Sequence, residues 1–180
     1  MSNARITPAT AADVPDLNRL VNSAYRGDSS RKGWTTEADL LGGIRTDEAG
    51  LHDMLAKPEA TILTYKFDGQ LIGSVYLEVK NDSLYLGMLT VLPDLQAAGI
   101  GRQLLEAAET YARKHSCRTI SITVIPQRTE LLAWYERRGY QRTGQTYPFP
   151  TDPRFGEPKE PLSFVELEKK LDLLPHMADV

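Results

Sequence analysis

The residues best suited to chemistry are Gln96 to Gly101, which read Gln-Ala-Ala-Gly-Ile-Gly. They lie between an apolar run at 84–91 and a long amphipathic stretch, an order typical of strand, small-residue turn and helix. A helix N-terminus has about four backbone N–H groups without an intrahelical partner, and it carries the positive end of the helix dipole. Glycines let a bulky anion approach these groups. The pattern therefore predicts a turn that binds diphosphate.

Two other phosphate-binding loops do not fit this turn. A dinucleotide fingerprint needs a further glycine where the chain has Leu104, and it needs an acidic residue at the end of a following strand, which is missing at the usual distance. A Walker A loop needs Gly-Lys followed by Ser or Thr, which the chain lacks. The remaining alternative is a strand-to-helix turn whose glycines serve packing alone.

A second group of candidates is the pair His115 and Cys117, which suggests either a nucleophile or a metal site. One His-x-Cys without further ligands gives little support for zinc. A lone cysteine between a helix and a strand is more typical of a small buried apolar side chain. His52 and His176 are isolated. We therefore predict no metal site and no cysteine nucleophile.

Composition excludes several classes of function. The chain has 180 residues, 41% of them apolar, with a net charge of −3 and a pI near 5.7, which suits one globular domain and argues against a general nucleic-acid binder. No run approaches the ~18 apolar residues of a membrane span. The first residues lack the apolar segment of a signal peptide, and the single cysteine forms no internal disulfide. We expect a cytoplasmic protein without membrane or nucleic-acid partners.

Hydrophobic periodicity predicts the elements that hold these residues. The predicted strands are 5–7, 61–67, 71–80, 84–91, 119–125, 140–147 and 162–169. The predicted helices are 10–24, 36–41, 47–57, 99–115 and 129–138. Asp68-Gly69 predicts a tight hairpin, and Pro148–Pro161, with five of the eleven prolines, predicts an irregular loop. We expect one domain over 1–171 and a C-terminal tail over 172–180.

Several motifs resemble those of the GNAT acyltransferases. Gln96-x-x-Gly99-x-Gly101 is similar to the family's acyl-coenzyme A motif, Gln/Arg-x-x-Gly-x-Gly/Ala, and Met88–Pro93 resembles the strand end that precedes it. Glu130–Tyr140 resembles a second signature, a helix with an aromatic residue and a tyrosine followed by Gly-aromatic. The opening at 5–14 resembles the family's first strand and helix. The matches run in family order across nearly the whole chain.

The resemblance implies an α/β (α+β) fold with a mixed, mostly antiparallel central sheet of six to seven strands and helices on both faces. It implies acetyl-CoA as cosubstrate and no metal. The residues it assigns to the coenzyme are Leu89, Thr90 and Val91 on the strand, Gln96, Ala97, Ala98, Gly99, Ile100, Gly101 and Arg102 at the turn, and Arg128. Arg102 is either a phosphate contact or a solvated cation, and Arg128 stands where the family often has asparagine.

For catalysis, the resemblance assigns Tyr135 as the acid that protonates the departing thiolate, with the Leu89 N–H polarising the thioester carbonyl. A phenol with a pKa near ~10 can hydrogen-bond to or protonate a thiolate whose parent thiol has a pKa near ~8.5. The alternative for Tyr135 is a core aromatic residue. The general base stays open: Tyr85 stands where some members have glutamate, and Glu78 is another candidate.

The acceptor site is expected in the polar segment that follows the first helix, with the proline-rich loop opposite. There we predict that Arg26, Trp34 and Glu37 contact a small amine substrate. The leading hypothesis is direct acetyl transfer to a primary amine in a ternary complex, because no activated nucleophile is visible. The alternatives are a non-catalytic acyl-CoA-binding sensor or regulatory module and, third, a protein N-acetyltransferase. A homodimer is left open.

Overall fold

The computed structural model describes residues 3–26, 38, 41–42, 45–149, 157–159 and 162–172. Its helices are α1 (Val14–Tyr25), α2 (Glu48–Ala56), α3 (Ile100–Lys114) and α4 (Thr129–Glu136). Its strands are β1 (Ala4–Pro8), β2 (Leu41–Gly42), β3 (Ala60–Phe67), β4 (Gln70–Lys80), β5 (Ser83–Val91), β6 (Thr119–Val124), β7 (Gln141–Pro148), β8 (Glu157–Pro158) and β9 (Ser163–Lys170). The predicted mixed α/β class is confirmed, and most predicted elements are present with ends that differ by one or two residues.

Seven of the strands in the described part of the chain form one sheet, in the order β1-β3-β4-β5-β6-β9-β7. Neighbouring strands are antiparallel except for β5 and β6, which run parallel. Their pairing covers only Ser83–Tyr85 against Thr119–Ser121, although β5 continues to Val91 and β6 to Val124. The two strands therefore diverge and leave an opening in the middle of the sheet.

Helices cover both faces of the sheet, as predicted. On one face Val21 of α1 and Leu51 of α2 belong to the same buried cluster as Tyr76 of β4. On the other face Leu104 of α3 belongs to a larger cluster with Val75 of β4, and α4 also contributes to it. Successive residues of β4 thus point to opposite faces, as the pleat of a strand requires. The core consists of two layers that the sheet separates.

The helix starts differ in how their first N–H groups are satisfied. Asp47 caps α2 by accepting a hydrogen bond from the Gly50 N–H at 2.7 Å. The turn before α1 is closed by Asp13, whose carboxylate accepts from the Thr10 N–H at 2.9 Å. By contrast α3 follows Gly99, which lies in the left-handed region at φ +82° and offers no side-chain cap. Glycine permits this backbone conformation, and in the described part of the chain no side chain caps the N-terminus of α3 with a hydrogen bond.

Two of the predicted elements are wrong in the described residues. The helix predicted at 36–41 fails at Leu41, which pairs as a strand with Pro158, and Thr36 and Glu37 lie outside the described residues. The loop predicted at 148–161 contains that partner strand, Glu157–Pro158, and Pro148 ends β7. Both errors have one cause. A short antiparallel pairing joins two segments far apart in sequence, and such tertiary contacts override local propensity.

The prediction for Cys117 is confirmed, since its side chain is buried and fully covered. Burial raises the pKa of the Cys117 thiol, with a further contribution from the nearby Asp82 carboxylate. Among the described residues, no three His, Cys, Asp or Glu side chains are grouped as a metal ion would need. None of the helices described is both long enough and apolar enough to cross a bilayer.

The two-layer core predicts that substitutions on the buried and exposed sides of α3 differ strongly in their effect on the free energy of unfolding. Leu104→Ala should lower the free energy of unfolding by about 2–5 kcal/mol, because Leu104 is fully buried and the substitution leaves a cavity. Glu106→Ala on the exposed side of the same helix removes only a surface ion pair with Arg102 at 3.9 Å and should cost less than about 1 kcal/mol. Urea unfolding of both variants measures the difference. Equal losses would mean that α3 does not pack as described.

Candidate active site

The opening between β5 and β6 leads into a cavity of about 430 Å³. Residues 86–89 of β5 line one side, and residues 122–125, at the end of β6, line the other. Tyr25 and Arg26 at the end of α1, together with Tyr135 of α4, close it further. Phe149 also lines the cavity, stacked on Phe164 of β9 at 5.2 Å between ring centroids. The cavity exists because two parallel strands stop pairing at Tyr85.

A β-bulge in β5 lies at the edge of this cavity. Ser74 pairs with Thr90 and Tyr76 with Gly87, so Val75 of β4 faces two residues, Met88 and Leu89. Met88 has φ +46°, which is uncommon for a residue with a side chain. The extra residue turns the backbone at Met88–Leu89 out of the regular ladder. The bulge therefore presents main-chain groups of β5 where the sheet is open.

Tyr25 connects α1 to this bulge. Its hydroxyl donates a buried hydrogen bond of 2.5 Å to the carbonyl oxygen of Leu89. Two guanidinium groups lie within cation–π range of the Tyr25 ring centroid, that of Arg45 at 5.4 Å and that of Arg128 at 5.6 Å. The tyrosine thus fixes the position of the strand backbone and supports two cations beside it.

Arg45 is held in place through its backbone. Its N–H donates to Asn22 Oδ1 of α1 at 2.7 Å, and Asn22 Nδ2 donates to the carbonyl of Thr46 at 2.9 Å. This two-way clamp fixes the segment at 45–46 against α1. The side chain then lines the main cavity and also a smaller neighbouring pocket that Tyr85 shares. Arg45 therefore lies at the junction of the two pockets.

Tyr135 of α4 lines the cavity although it is only 5% exposed. Its ring makes edge contacts with Trp134 at 5.1 Å and with Tyr140 at 5.4 Å. Burial raises the pKa of Tyr135 well above its usual value, Tyr25 and Tyr140 add to the shift, and Arg128 opposes it. The phenol therefore keeps its proton at physiological pH.

The glycine turn continues from β5 along the outside of this cavity. Pro93–Ala98 form a 3₁₀ turn, which includes Gln96, Ala97 and Ala98, and α3 follows Gly99. A Cβ built on Gly99 would meet no atom of the described residues within 4 Å. The side chain of Gln96 is buried and its Nε2 donates to the Val91 carbonyl at 3.1 Å, which ties the turn to the end of β5. The turn is therefore open at Gly99 and anchored at Gln96.

Gly101 has a packing role that links the two sequence motifs. A Cβ placed on Gly101 would lie 3.4 Å from the Trp134 ring, an ordinary contact distance. Trp134 in turn carries the Arg138 guanidinium at 4.0 Å from its ring centroid. The first turn of α3 thus packs against α4, the helix that carries Tyr135.

The structure gathers only some of the predicted site residues in the cavity. Arg26, Leu89, Arg128 and Tyr135 line it. The others are not among the described lining residues and belong to the end of β5, the glycine turn and the start of α3, namely Thr90, Val91, Gln96, Ala97, Ala98, Gly99, Ile100, Gly101 and Arg102. Arg102 is an exposed side chain in an ion pair with Glu106. Trp34 and Glu37 lie outside the described residues.

The bulge and the role of Tyr25 were not predicted from the sequence. One signal for the bulge was present: the apolar positions of the larger cluster run as Leu84 and Leu86 and then change parity to Leu89 and Val91. No comparable signal marks the Tyr25 hydroxyl, because its acceptor lies 64 positions away in the chain.

Glu78, the candidate base on β4, is occupied by structural partners. Its carboxylate accepts from the Tyr76 hydroxyl at 2.6 Å, from Lys57 Nζ at 3.2 Å and from Lys80 Nζ at 3.3 Å. The pKa of Glu78 is lowered chiefly by the Tyr76 hydrogen bond, with burial opposing and the lysines adding to the decrease. A carboxylate with a lowered pKa is a weak base. Glu78 lines the smaller pocket rather than the main cavity.

Comparison with known proteins identifies the class to which this arrangement belongs. The model of the acetyltransferase (GNAT) family matches residues 17–140, more than half of the chain. The chain therefore belongs to the GNAT acetyltransferase family and is an N-acetyltransferase. Acetyl-CoA is the acetyl donor of this family.

Solved structures with the same fold agree with this assignment. The ribosomal-protein-S18-alanine N-acetyltransferase from Escherichia coli aligns with a TM-score of 0.71 at 16% identity, over 95% of this chain and 96% of that one. The ribosomal-protein-alanine N-acetyltransferase from Brucella melitensis aligns at 0.70 and 20% identity, over 93% and 99%. The PaiA N-acetyltransferase from Thermoplasma acidophilum, solved in complex with coenzyme A, aligns at 0.67 and 18%, over 94% and 99%. At these identities the likeness shows the fold alone.

The Glu78 network predicts a pH-dependent loss of stability in Tyr76→Phe. Because the folded pKa of Glu78 is lowered, its stabilising contribution is present above the unfolded pKa of about 4.3 and disappears as the pH falls through the folded value. Tyr76→Phe should therefore lower the free energy of unfolding by about 1–2 kcal/mol at neutral pH and by less in acid. Urea unfolding across a pH series measures this. A loss that does not change with pH would contradict the assignment.

Proposed function

We propose that the protein transfers an acetyl group from acetyl-CoA to the primary amine of a small molecule, directly and within a ternary complex. The observation that carries the proposal is the cavity where β5 and β6 diverge, with the β5 bulge on one side and the buried Tyr135 phenol at its end. These features lie beside a glycine turn that opens a helix. We therefore propose that the coenzyme and the acceptor bind in this one region and react there.

The described residues fit coenzyme A in two places. Beyond Tyr85, the edge of β5 that faces β6 has no strand partner among the described residues, so the main-chain groups of Leu89, Thr90 and Val91 can pair with an extended ligand as an added strand would. The amides from Gln96 to Arg102, at the uncapped start of α3, suit a diphosphate. Arg102 is near enough in sequence to add a charged contact.

The case for Arg128 as a coenzyme-binding residue is weaker than the case for the glycine turn. It precedes α4, and its guanidinium lies over the Tyr25 ring in the cavity rather than at the glycine turn. In this position Arg128 suits the inner end of the coenzyme or the acceptor. We retain it as a proposed binding residue on that basis.

Tyr135 is the proposed acid. In the reaction the amine nitrogen bonds to the acetyl carbon, the carbon–sulfur bond breaks, the sulfur takes the Tyr135 proton, and the amine gives up a proton to solvent. Burial keeps the phenol protonated while negative charge develops on the sulfur beside it, so that Tyr135 donates a hydrogen bond and then its proton to the sulfur. Solvent afterwards returns a proton to Tyr135. The Leu89 N–H at the bulge is the proposed donor to the thioester carbonyl.

Direct transfer is favoured over a covalent enzyme intermediate. Cys117, the chain's one thiol, is buried outside the cavity lining, and its pKa is raised, which makes it a poor nucleophile. We therefore expect sequential kinetics. A thiol kept reduced also fits the cytoplasmic location that we propose.

A small acceptor is proposed because a cavity of about 430 Å³ is near the lower end of the range for small-molecule pockets. Arg26 lines it, and Trp34 and Glu37 are retained from the sequence as acceptor contacts. A protein acceptor, as in the names of the two ribosomal-protein enzymes of similar fold, is the outcome to be tested against this proposal. Peptides with free N-termini therefore belong in the substrate panel.

Gly99→Ala should weaken acetyl-CoA binding by about tenfold, or about 1.4 kcal/mol, because a methyl group would enter the open space above the turn at a positive φ. Gly69 is a matched control, since it has φ +80° with equally open surroundings but lies in the β3–β4 hairpin. Both variants should lose similar stability, and calorimetry should find weaker coenzyme binding in Gly99→Ala alone. Equal acetyl-CoA affinities of Gly99→Ala and the wild-type protein would show that the turn does not bind the coenzyme.

Tyr135→Phe should lower kcat by about 10²–10³-fold while the acetyl-CoA Kd changes little, because only proton donation is lost. Tyr140→Phe is the matched control: the Tyr140 ring contacts Tyr135, and its buried hydroxyl has no hydrogen-bond partner among the residues that the structure describes. Thiol release over a panel of amines measures both variants. Unchanged turnover in Tyr135→Phe would exclude the acid role, and coenzyme binding without turnover on any amine would favour the sensor.

A further inference from the structure

We propose that the acceptor amine also carries an anionic group, a carboxylate or a phosphate, and that Arg45 binds this group. The inference rests on the proposed function, since it concerns the acceptor side of the same cavity. It goes further by naming the charge of the substrate and the side chain that selects it. Neither follows from the coenzyme motifs.

The first observation is the charge of the cavity lining. The charged side chains among its described residues are Arg26, Arg45 and Arg128, and no aspartate or glutamate is among them. Of these three, the Arg45 guanidinium disfavours an acceptor that is only cationic. It favours an acceptor whose positive amine is accompanied by a negative group.

The second observation concerns Glu78, the carboxylate in the smaller pocket that Arg45 also lines. Glu78 lies in the adjoining pocket with Lys57 and Lys80, and both lysines form ion pairs with it. Its carboxylate is therefore committed to these partners and the Tyr76 hydroxyl. The adjoining pocket, which Arg45 also lines, contains these two lysines. Its described carboxylate, Glu78, is already paired and is therefore not available to the ammonium group of the acceptor.

The third observation is the placement of Arg45. Its backbone is clamped by Asn22, and its guanidinium rests 5.4 Å from the Tyr25 ring centroid. Within the described part of the chain, no carboxylate lies within ion-pair distance of this guanidinium. An arginine that is half-buried, held by its backbone and supported on an aromatic ring has lost much of its freedom before a ligand arrives. Its planar fork matches a carboxylate or a phosphate.

The fourth observation relates Arg45 to the reacting atoms. Tyr25, whose ring contacts the Arg45 guanidinium, donates a hydrogen bond from its hydroxyl to the carbonyl of Leu89. Leu89 lies at the bulge where we propose that the thioester binds. Arg45 and the transfer site are thus separated by one tyrosine side chain. An anionic group bound at Arg45 places the amine of a small acceptor within reach of the bulge.

The experiment compares pairs of amines with and without an anionic group; an amino acid and its carboxamide are also nearly equal in size. Thiol release from acetyl-CoA is measured for each amino acid and its carboxamide, and for phosphoethanolamine and ethanolamine. The neighbouring anion raises the amine's pKa and lowers its reactive neutral fraction, so intrinsic reactivity works against the expected preference. We expect kcat/KM to favour at least one anionic member over its neutral partner by tenfold or more. The amino-acid and phosphoethanolamine pairs distinguish a carboxylate from a phosphate.

Arg45→Gln should raise the KM for the preferred anionic amine by about 10- to 100-fold with a smaller effect on kcat, and Arg45→Lys should restore part of the loss. The acetyl-CoA Kd of Arg45→Gln should stay within about twofold of the wild-type value. Arg142→Gln removes the same charge from an exposed ion pair on β7 and serves as the control, with no expected change.

The outcomes separate this inference from the proposed function. Turnover of neutral amines or peptides without an anionic preference would overturn the inference alone. A tenfold loss of acetyl-CoA affinity in Arg45→Gln would also overturn it, because the cation would then serve the coenzyme. Failure of the wild-type protein to bind acetyl-CoA, or to acetylate any amine, would overturn the proposed function and with it the inference.

Discussion

The site depends on the divergence of β5 and β6, since every proposed step takes place in the space that this divergence opens. Parallel pairing stops at Tyr85 and Ser121, and the bulge at Met88–Leu89 then carries β5 away from a regular ladder. A positive φ at Met88 is costly, so it persists only where surrounding contacts hold it. The Tyr25 hydroxyl on the Leu89 carbonyl is one such contact. An opened sheet is thus held in shape by a helix that packs across it.

Much of the fold could be predicted from the sequence because its signals are local. Asp68-Gly69 makes the hairpin with two positive φ values, and Asp47 caps α2 at the start that the pattern indicates. The strand, turn and helix around Gly99 follow from the apolar run, the glycines and the amphipathic period. In each case a few neighbouring residues determine the backbone. Packing between motifs is less local: a Cβ placed on Gly101 would come to contact distance of Trp134, which belongs to the other motif.

The rest of the site could not be predicted because it depends on contacts between distant parts of the chain. Arg45 belongs to a segment of polar residues, and nothing in its neighbours shows that its guanidinium rests on the Tyr25 ring. The pairing of Leu41 with Pro158 likewise joins two segments whose local patterns predict a helix and a loop. The tertiary fold determines such contacts, because the two residues that meet are far apart in the sequence and neither local pattern indicates the other.

The lack of a carboxylate in the described cavity lining bears on how an amine would lose its proton there. Nearby positive charge disfavours an ammonium ion, so a cationic side chain of the lining that is not neutralised by the acceptor's anion would lower the pKa of a bound amine and oppose the rise that this anion causes. The same site keeps Tyr135 protonated, because burial outweighs the opposing effect of Arg128 on the pKa of that phenol. The buried environment of Tyr135 therefore prepares the protonated acid of the proposed reaction. On this view Glu78, neutralised by two lysines, is not needed as a base.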